Sequence, residues 1–216
     1  MSNEILTSRL SQLSRLSDAI AGCRLCRDRP AKGPEHRLVH EPRPVAILSA
    51  RARILIAGQA PGLRVHESGL PFNDASGDRL REWLGVSRET FYDTDNFAIL
   101  PMGFCFPGYD AKGHDLPPRL ECAPLWRKAA LEAMPQIDTV LAIGAYAQRY
   151  HLQNRAAKSM TDTVRAWREH FFVNEGLRIL PLPHPSWRNS GWLNRNPWFA
   201  AQLLPVLRAH VDSCLR

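Results

Sequence analysis

Five cysteines stand in the 216-residue sequence, and four of them fall into two pairs: Cys23-x-x-Cys26, and Cys105 with Cys122, sixteen residues lying between. An odd count in a chain without an export signal argues against a disulfide framework. Two pairs of thiolates are the usual way a four-sulfur metal site is assembled, and both zinc and an iron-sulfur cluster fit that donor set. The wide second pair favours the cluster, because a zinc knuckle needs tight turns on both sides. The plainer alternative is four independent buried thiols, since free cysteine behaves as a small hydrophobe. Cys214 stands apart near the carboxyl end, while Arg24, Arg27, Arg29 and Arg127 lie close to the paired cysteines, where cations would favour thiolate.

Three other stretches have the chemistry of a ligand pocket. Gly58-Gln59-Ala60-Pro61-Gly62 is a turn with little side-chain bulk, through which backbone amides can approach a ligand closely. Gly69-Leu70-Pro71-Phe72-Asn73-Asp74 sets an aromatic ring beside an amide and a carboxylate, a trio able to stack on a planar base and read its edge. Pro183-His184-Pro185-Ser186 holds a histidine on a backbone restrained by two prolines. Trp187, Arg188, Asn189, Trp192 and Arg195 follow it, and interleaved aromatic and arginine residues suit base stacking and phosphate contact.

The elements that must position these residues are legible as apolar runs. Arg53–Ala57, Asn96–Leu100, Thr139–Ile143 and Arg178–Leu182 read as short buried strands, and the stretches 77–84, 121–134, 145–151, 161–171 and 197–211 read as helices. Leu10, Leu13 and Ile20 predict an amphipathic helix from the amino end to about Ala21. Arg27–Ser49, rich in Pro, Arg and His, predicts a long irregular loop. Strands alternating with helices imply a parallel sheet in one three-layer αβα domain spanning residues 1–216. Such sheets bind ligands at the carboxyl ends of their strands, which is where the glycine-rich turn and the His184 loop fall.

Composition narrows the function. Hydrophobic residues make up 44% and charged residues 23%, which excludes disorder and repeat fibres. The net charge of +7 comes from 28 Lys and Arg against 21 Asp and Glu, and 24 of the 28 are arginine. That balance favours a polyanionic partner, although a GC-rich coding sequence would also raise arginine. No apolar run has the length of a membrane span, and the first ten residues lack the apolar core of a secretory signal, so a soluble, cytoplasmic protein is expected; a monomer is expected as well.

Taken in order, these residues resemble the uracil-DNA glycosylase superfamily, most closely its iron-sulfur branch, usually called family 4. The motifs of that branch match Cys23/Cys26, Gly58 to Gly62, Gly69 to Phe72, Cys105-Phe-Pro-Gly108, Cys122, and His184-Pro185-Ser186. The resemblance implies a four-stranded parallel sheet between helices and a structural 4Fe-4S cluster on the four cysteines. It also implies uracil-containing DNA, single- or double-stranded, as substrate, with uracil flipped against Phe72 and His184 at the leaving base.

The chain departs from the family pattern at several places. Gln59 replaces the family's glutamate and cannot accept a proton as a general base. Pro101 holds the position of the base-reading asparagine, so Asn73 and the Gln59 amide become the candidates for reading the base. Asn73-Asp74 replaces Val-Gly, and His66 falls where an acidic residue often stands. Expected roles follow: His184 at the developing oxyanion, water oriented by Gln59 or activated by Asp74 or His66, and Gly58, Ala60, Pro61, Gly62, Phe72, Asn73 and Ser186 around the base. Trp187, Arg188, Asn189 and Arg195 would meet DNA. Three alternatives stay open at this point: a binder that holds uracil-DNA without turnover through His66, a zinc-stabilised nucleic-acid module, and excision of another deaminated base such as hypoxanthine.

Overall fold

The computed structural model describes residues 3–173 and 176–216. Four runs rich in Ile, Leu, Val and Ala form the strands β1 (Ile54–Ala57), β2 (Phe97–Ile99), β3 (Thr139–Ile143) and β4 (Arg178–Leu182). They pair in parallel in the order β2-β1-β3-β4, with Ile54 opposite Phe97 and Thr139, and Val140 opposite Ile179. Nearly every strand residue is buried, as expected for a parallel sheet covered on both faces. Pro181 lies in β4, and this is an edge strand, where a missing backbone N–H leaves no ladder bond unmade.

Alternation along the strands sorts the core into two layers. Ile54, Ile56, Ile99, Leu141 and Leu180 join one buried cluster with Leu80, Trp83, Phe199 and Leu207, whereas Leu55, Ala57, Ala98, Val140 and Ile179 join another with Leu13, Ile20, Ala130 and Leu152. Side chains on a strand point to opposite faces with a period of two, so each strand feeds both layers. The result is the three-layer αβα domain anticipated from the sequence.

The helices, in chain order, are α1 (Asn3–Ala21), α2 (Leu25–Asp28), α3 (Leu63–Ser68), α4 (Ala75–Leu84), α5 (Arg88–Tyr92), α6 (Lys128–Ala133), α7 (Gly144–Leu152), α8 (Met160–Arg165), α9 (Trp167–Phe171), α10 (Ser190–Arg195) and α11 (Leu204–Leu215). Leu13 and Ile20 of α1 are buried as their spacing predicts, while Leu10 is exposed. The helix expected over 161–171 is broken at Ala166, whose ψ of 15° interrupts the turn, yet Val164, Trp167 and Phe171 still reach one core cluster. The helices expected over 121–134 and 197–211 begin as wide π turns at Ala123–Arg127 and Phe199–Leu203. The short helices α2, α3, α5 and α10 have too few residues to show a period, and apolar periodicity missed them.

Of the loop expected over 27–49, Arg27 and Asp28 belong to α2, and the remainder is irregular apart from a 3-10 turn at Pro34–His36. It ends by pairing Ile47 with Ile99 through two 2.8 Å backbone bonds, which covers the outer edge of β2. Among the described residues no helix is long and apolar enough to cross a membrane.

Candidate active site

The chain leaves β1 toward β2 on one side and returns to place β3 on the other, so the order of strand addition reverses at β1 while all strands stay parallel. Ligand crevices form at the carboxyl ends of strands at such a switch point. A cleft of about 700 Å³ opens there, lined by Gly58, Gln59, Ala60, Pro61 and Gly62 after β1, by Pro101 after β2, and by His184 and Ser186 after β4. Phe72 and Asp74 line it as well.

Phe72 owes its position to several restraints. Its φ is +55°, a left-handed value that bulky residues rarely adopt, so the surroundings must hold it there. Asp74 caps α4, its Oδ1 accepting from the Gly77 amide at 2.9 Å. Gly77 leaves room for the Phe72 carbonyl, which a Cβ at position 77 would meet at 1.7 Å. The Tyr92 hydroxyl donates to the Pro71 carbonyl at 2.9 Å, and the buried Arg81 reaches the Phe72 carbonyl at 3.4 Å. The ring then lies over Gly58, where a Cβ would touch Phe72 Cζ at 3.5 Å, and meets Phe91 edge-on at 6.1 Å.

His184 is fixed with equal definition. Its Nδ1 accepts from the Ser186 backbone N–H at 3.2 Å, so the neutral ring carries its proton on Nε2. Burial pushes its pKa below the ordinary imidazole value, against an opposing pull from Asp74 and Asp115. Asn189 Nδ2 donates to the His184 carbonyl at 2.7 Å, and Arg79 of α4 donates to the Ser186 carbonyl at 2.9 Å. The site therefore presents a flat apolar ring, a neutral N–H donor and two carboxylates in one cleft.

The other residues singled out from the sequence fall in different places. Trp187 and Arg188 line the cleft, the guanidinium 5.7 Å from the indole centre, and Trp187 is 71% exposed. Asn189 is turned inward to His184, and Arg195 is exposed on α10. Asn73 accepts from Arg88 at 2.9 Å and does not line the cleft. His66 also stays out of the lining; its ring meets His40 edge-on at 4.5 Å, its Nδ1 is buried without a partner, and burial depresses its pKa. Sequence reasoning missed Arg79 and the 108–116 hairpin, which brings Tyr109, His114 and Asp115 to the cleft. The Asp110 and Gly113 turn residues were the available signal for that hairpin.

Cys23, Cys26, Cys105 and Cys122 line a second, small cavity and are all free thiols. The Trp126 indole N–H points to Cys23 Sγ at 3.4 Å. A hydrogen bond with Cys105 draws the Cys26 pKa down to about 7, and burial pushes Cys122 up to about 12. Among the described residues, the group of three ligand atoms lying within 4.8 Å of one another is Asp138, His210 and Cys214, not any three of these sulfurs. That trio sits at the opposite end of the strands, where Asp138 already accepts from Arg53 at 2.5 and 2.9 Å and from Thr139 at 2.8 Å. Arg127, expected to act on the thiolates, instead buries its guanidinium against the Leu100 and Pro101 carbonyls at 2.7 and 2.9 Å and against His151 at 2.6 Å.

A parallel sheet with a cleft at its carboxyl edge, walled by an aromatic ring and a tautomer-fixed imidazole, defines an α/β domain built to handle a planar ligand. Residues 46–208 match the family model described as the Uracil DNA glycosylase superfamily, and the chain belongs to that superfamily. Membership carries DNA glycosylase chemistry, the hydrolysis of an N-glycosidic bond in DNA. The matched stretch begins after Cys23 and Cys26.

Proposed function

We propose that the protein is a uracil-DNA glycosylase that hydrolyses the bond between a flipped uracil and its sugar, leaving an abasic site. The observation that carries this reading is the sharing of one cleft by the Phe72 ring and the His184 Nε2–H. Uracil leaves as an anion while the sugar becomes cationic, so a preorganised donor at uracil O2 acts where charge develops. His184 is that donor. Phe72 stacks on the base, and Gln59, one of the residues lining the cleft, reads its edge in place of the missing asparagine.

Asp74 is proposed to orient the attacking water. Oδ1 is held by the Gly77 amide, which leaves Oδ2 as an acceptor on a residue that lines the cleft, and the carboxylate's charge acts on His184. The same carboxylate favours the cationic sugar. The position of His66 outside the cleft lining supports turnover rather than covalent capture. Trp187 and Arg188 meet the DNA at the mouth, Arg195 contacts it further along α10, and the enzyme works as a cytoplasmic monomer.

The four free thiols around one cavity fit a 4Fe-4S cluster, whose cubic core takes ligands arriving from separate loops. Cys23, Cys26, Cys105 and Cys122 would hold it, and it would tie the corner after α1 to the loops after β2. The test of function is release of uracil from a labelled oligonucleotide. Wild-type protein is expected to excise it, and His184→Ala to be slowed by about 10²- to 10³-fold; slowing of less than tenfold removes His184 from this role.

A further inference from the structure

The mouth of the cleft carries a second aromatic surface. Tyr109 is 50% exposed, borders the cleft and stands edge-on to Phe106 at 5.0 Å. Phe106 is buried and lies nearly parallel to His40, at 5.6 Å and 17°. Both His40 nitrogens face carbonyl oxygens, those of Glu41 and Phe106, each at 2.9 Å. The hairpin that presents Tyr109 is itself closed: Tyr109 bridges Asp115, the Leu116 amide donates to the Gly108 carbonyl at 2.9 Å, and the Asp110 carboxylate accepts the Lys112 and His114 amides at 2.8 Å.

A single exposed tyrosine is ordinary. This one differs in being braced from behind by a buried ring on a closed hairpin, at the entrance to a cleft of nucleobase chemistry. A pre-ordered aromatic face loses little conformational entropy when a ligand stacks on it. Base stacking on such faces is tolerant of sequence, because every base has a π-face.

We propose that Tyr109 is a stacking platform for a nucleobase next to the extruded nucleotide. The inference rests on the DNA glycosylase reading above and extends it to the form of the substrate. A neighbouring base can swing onto Tyr109 in single-stranded or locally melted DNA, whereas in intact duplex it is held by its own pair. The protein therefore binds single strands in preference to duplex.

The test is fluorescence anisotropy with a labelled single strand carrying 2′-fluorinated deoxyuridine, which resists cleavage. Tyr109→Ala is expected to weaken binding by about 5- to 150-fold, and Tyr109→Phe to match wild type. Replacing the nucleotide on one flank, then the other, by an abasic analogue should weaken wild type by a similar factor on one flank and leave Tyr109→Ala unchanged there. Unaltered binding by Tyr109→Ala, or a loss that is the same with and without both flanking bases, overturns the proposal. Wild type that binds but releases no uracil from ordinary oligonucleotide refutes uracil excision while the flanking-base comparison still decides Tyr109. Wild type that does not bind the strand at all overturns both.

Discussion

Arg79 reaches from α4 to the Ser186 carbonyl at 2.9 Å and toward the Ser190 hydroxyl at 3.4 Å, joining the helix that follows Phe72 to the loop that holds His184. Two walls of the cleft, 112 residues apart in sequence, are thus registered by one guanidinium. Misplacing a reacting group by about 1 Å can cost roughly 10²-fold in rate. Arg79→Ala is expected to lower kcat for base release by about 10- to 100-fold with a smaller change in KM, and Arg79→Lys to recover part of it. Steady-state kinetics on the two variants check this; an unchanged kcat for Arg79→Ala would mean that the loop holds itself.

The Phe72 loop leans on the absence of a side chain at position 77. Gly77→Ala would drive a Cβ to 1.7 Å from the Phe72 carbonyl, so the loop must move. Overpacking of this kind costs about 1 to 3 kcal/mol, and the ring shifts with it. Both a lower denaturation midpoint and reduced affinity for uracil-containing DNA are expected. Asp74→Ala should cost about 1 kcal/mol through loss of the helix cap alone, and in addition remove the group proposed to hold the water.

The rate should resist mild acid. In the proposed reaction His184 acts as a neutral ring, and its folded pKa is depressed by burial below the ordinary 6.5. The neutral form therefore persists on acidification through pH 6.5, and kcat/KM for uracil release should begin to fall only below that point. A pH-rate profile tests it, since a descending limb centred at or above pH 6.5 contradicts a buried His184.

Stability behaves in the opposite way. Burial, then the neighbouring Arg127 cation, hold His151 down to about 3, while in the unfolded chain it takes up a proton near 6.5. Its contribution is fully present above pH 6.5 and is lost as pH falls toward 3. By pH 5 the loss is about 2 kcal/mol. Urea titrations at pH 7.5 and pH 5 should differ by that order, and His151→Gln, which keeps an acceptor for Arg127, should shrink the difference.

The thiol cavity makes a chemical prediction. Protein purified without oxygen is expected to contain iron and acid-labile sulfide, with visible absorption that Cys105→Ser and Cys122→Ser both abolish. One zinc per chain with no iron would replace the cluster by a mononuclear site.

Much of this was written in local sequence. The four strands were readable because buried parallel strands are unbroken apolar runs, and β3 and β4 fall on the predicted residues. The Phe72 and His184 loops were readable because glycine and proline restrict the backbone wherever they stand. Short helices such as α3 and α5 were not, since a period cannot be seen in five or six residues.

What the sequence by itself determined is the set of chemical groups and the elements that carry them, because residue type and spacing along a strand or turn depend only on neighbours in the chain. Tertiary structure decided which of those groups meet. It turned Asn73 to Arg88 and His66 to His40, and it brought Arg79, Tyr109 and Asp115 to the cleft. It also sent Arg127 to the carbonyls at the end of β2. Such outcomes depend on which surfaces are buried against each other, and burial is a property of the packed chain rather than of any segment within it.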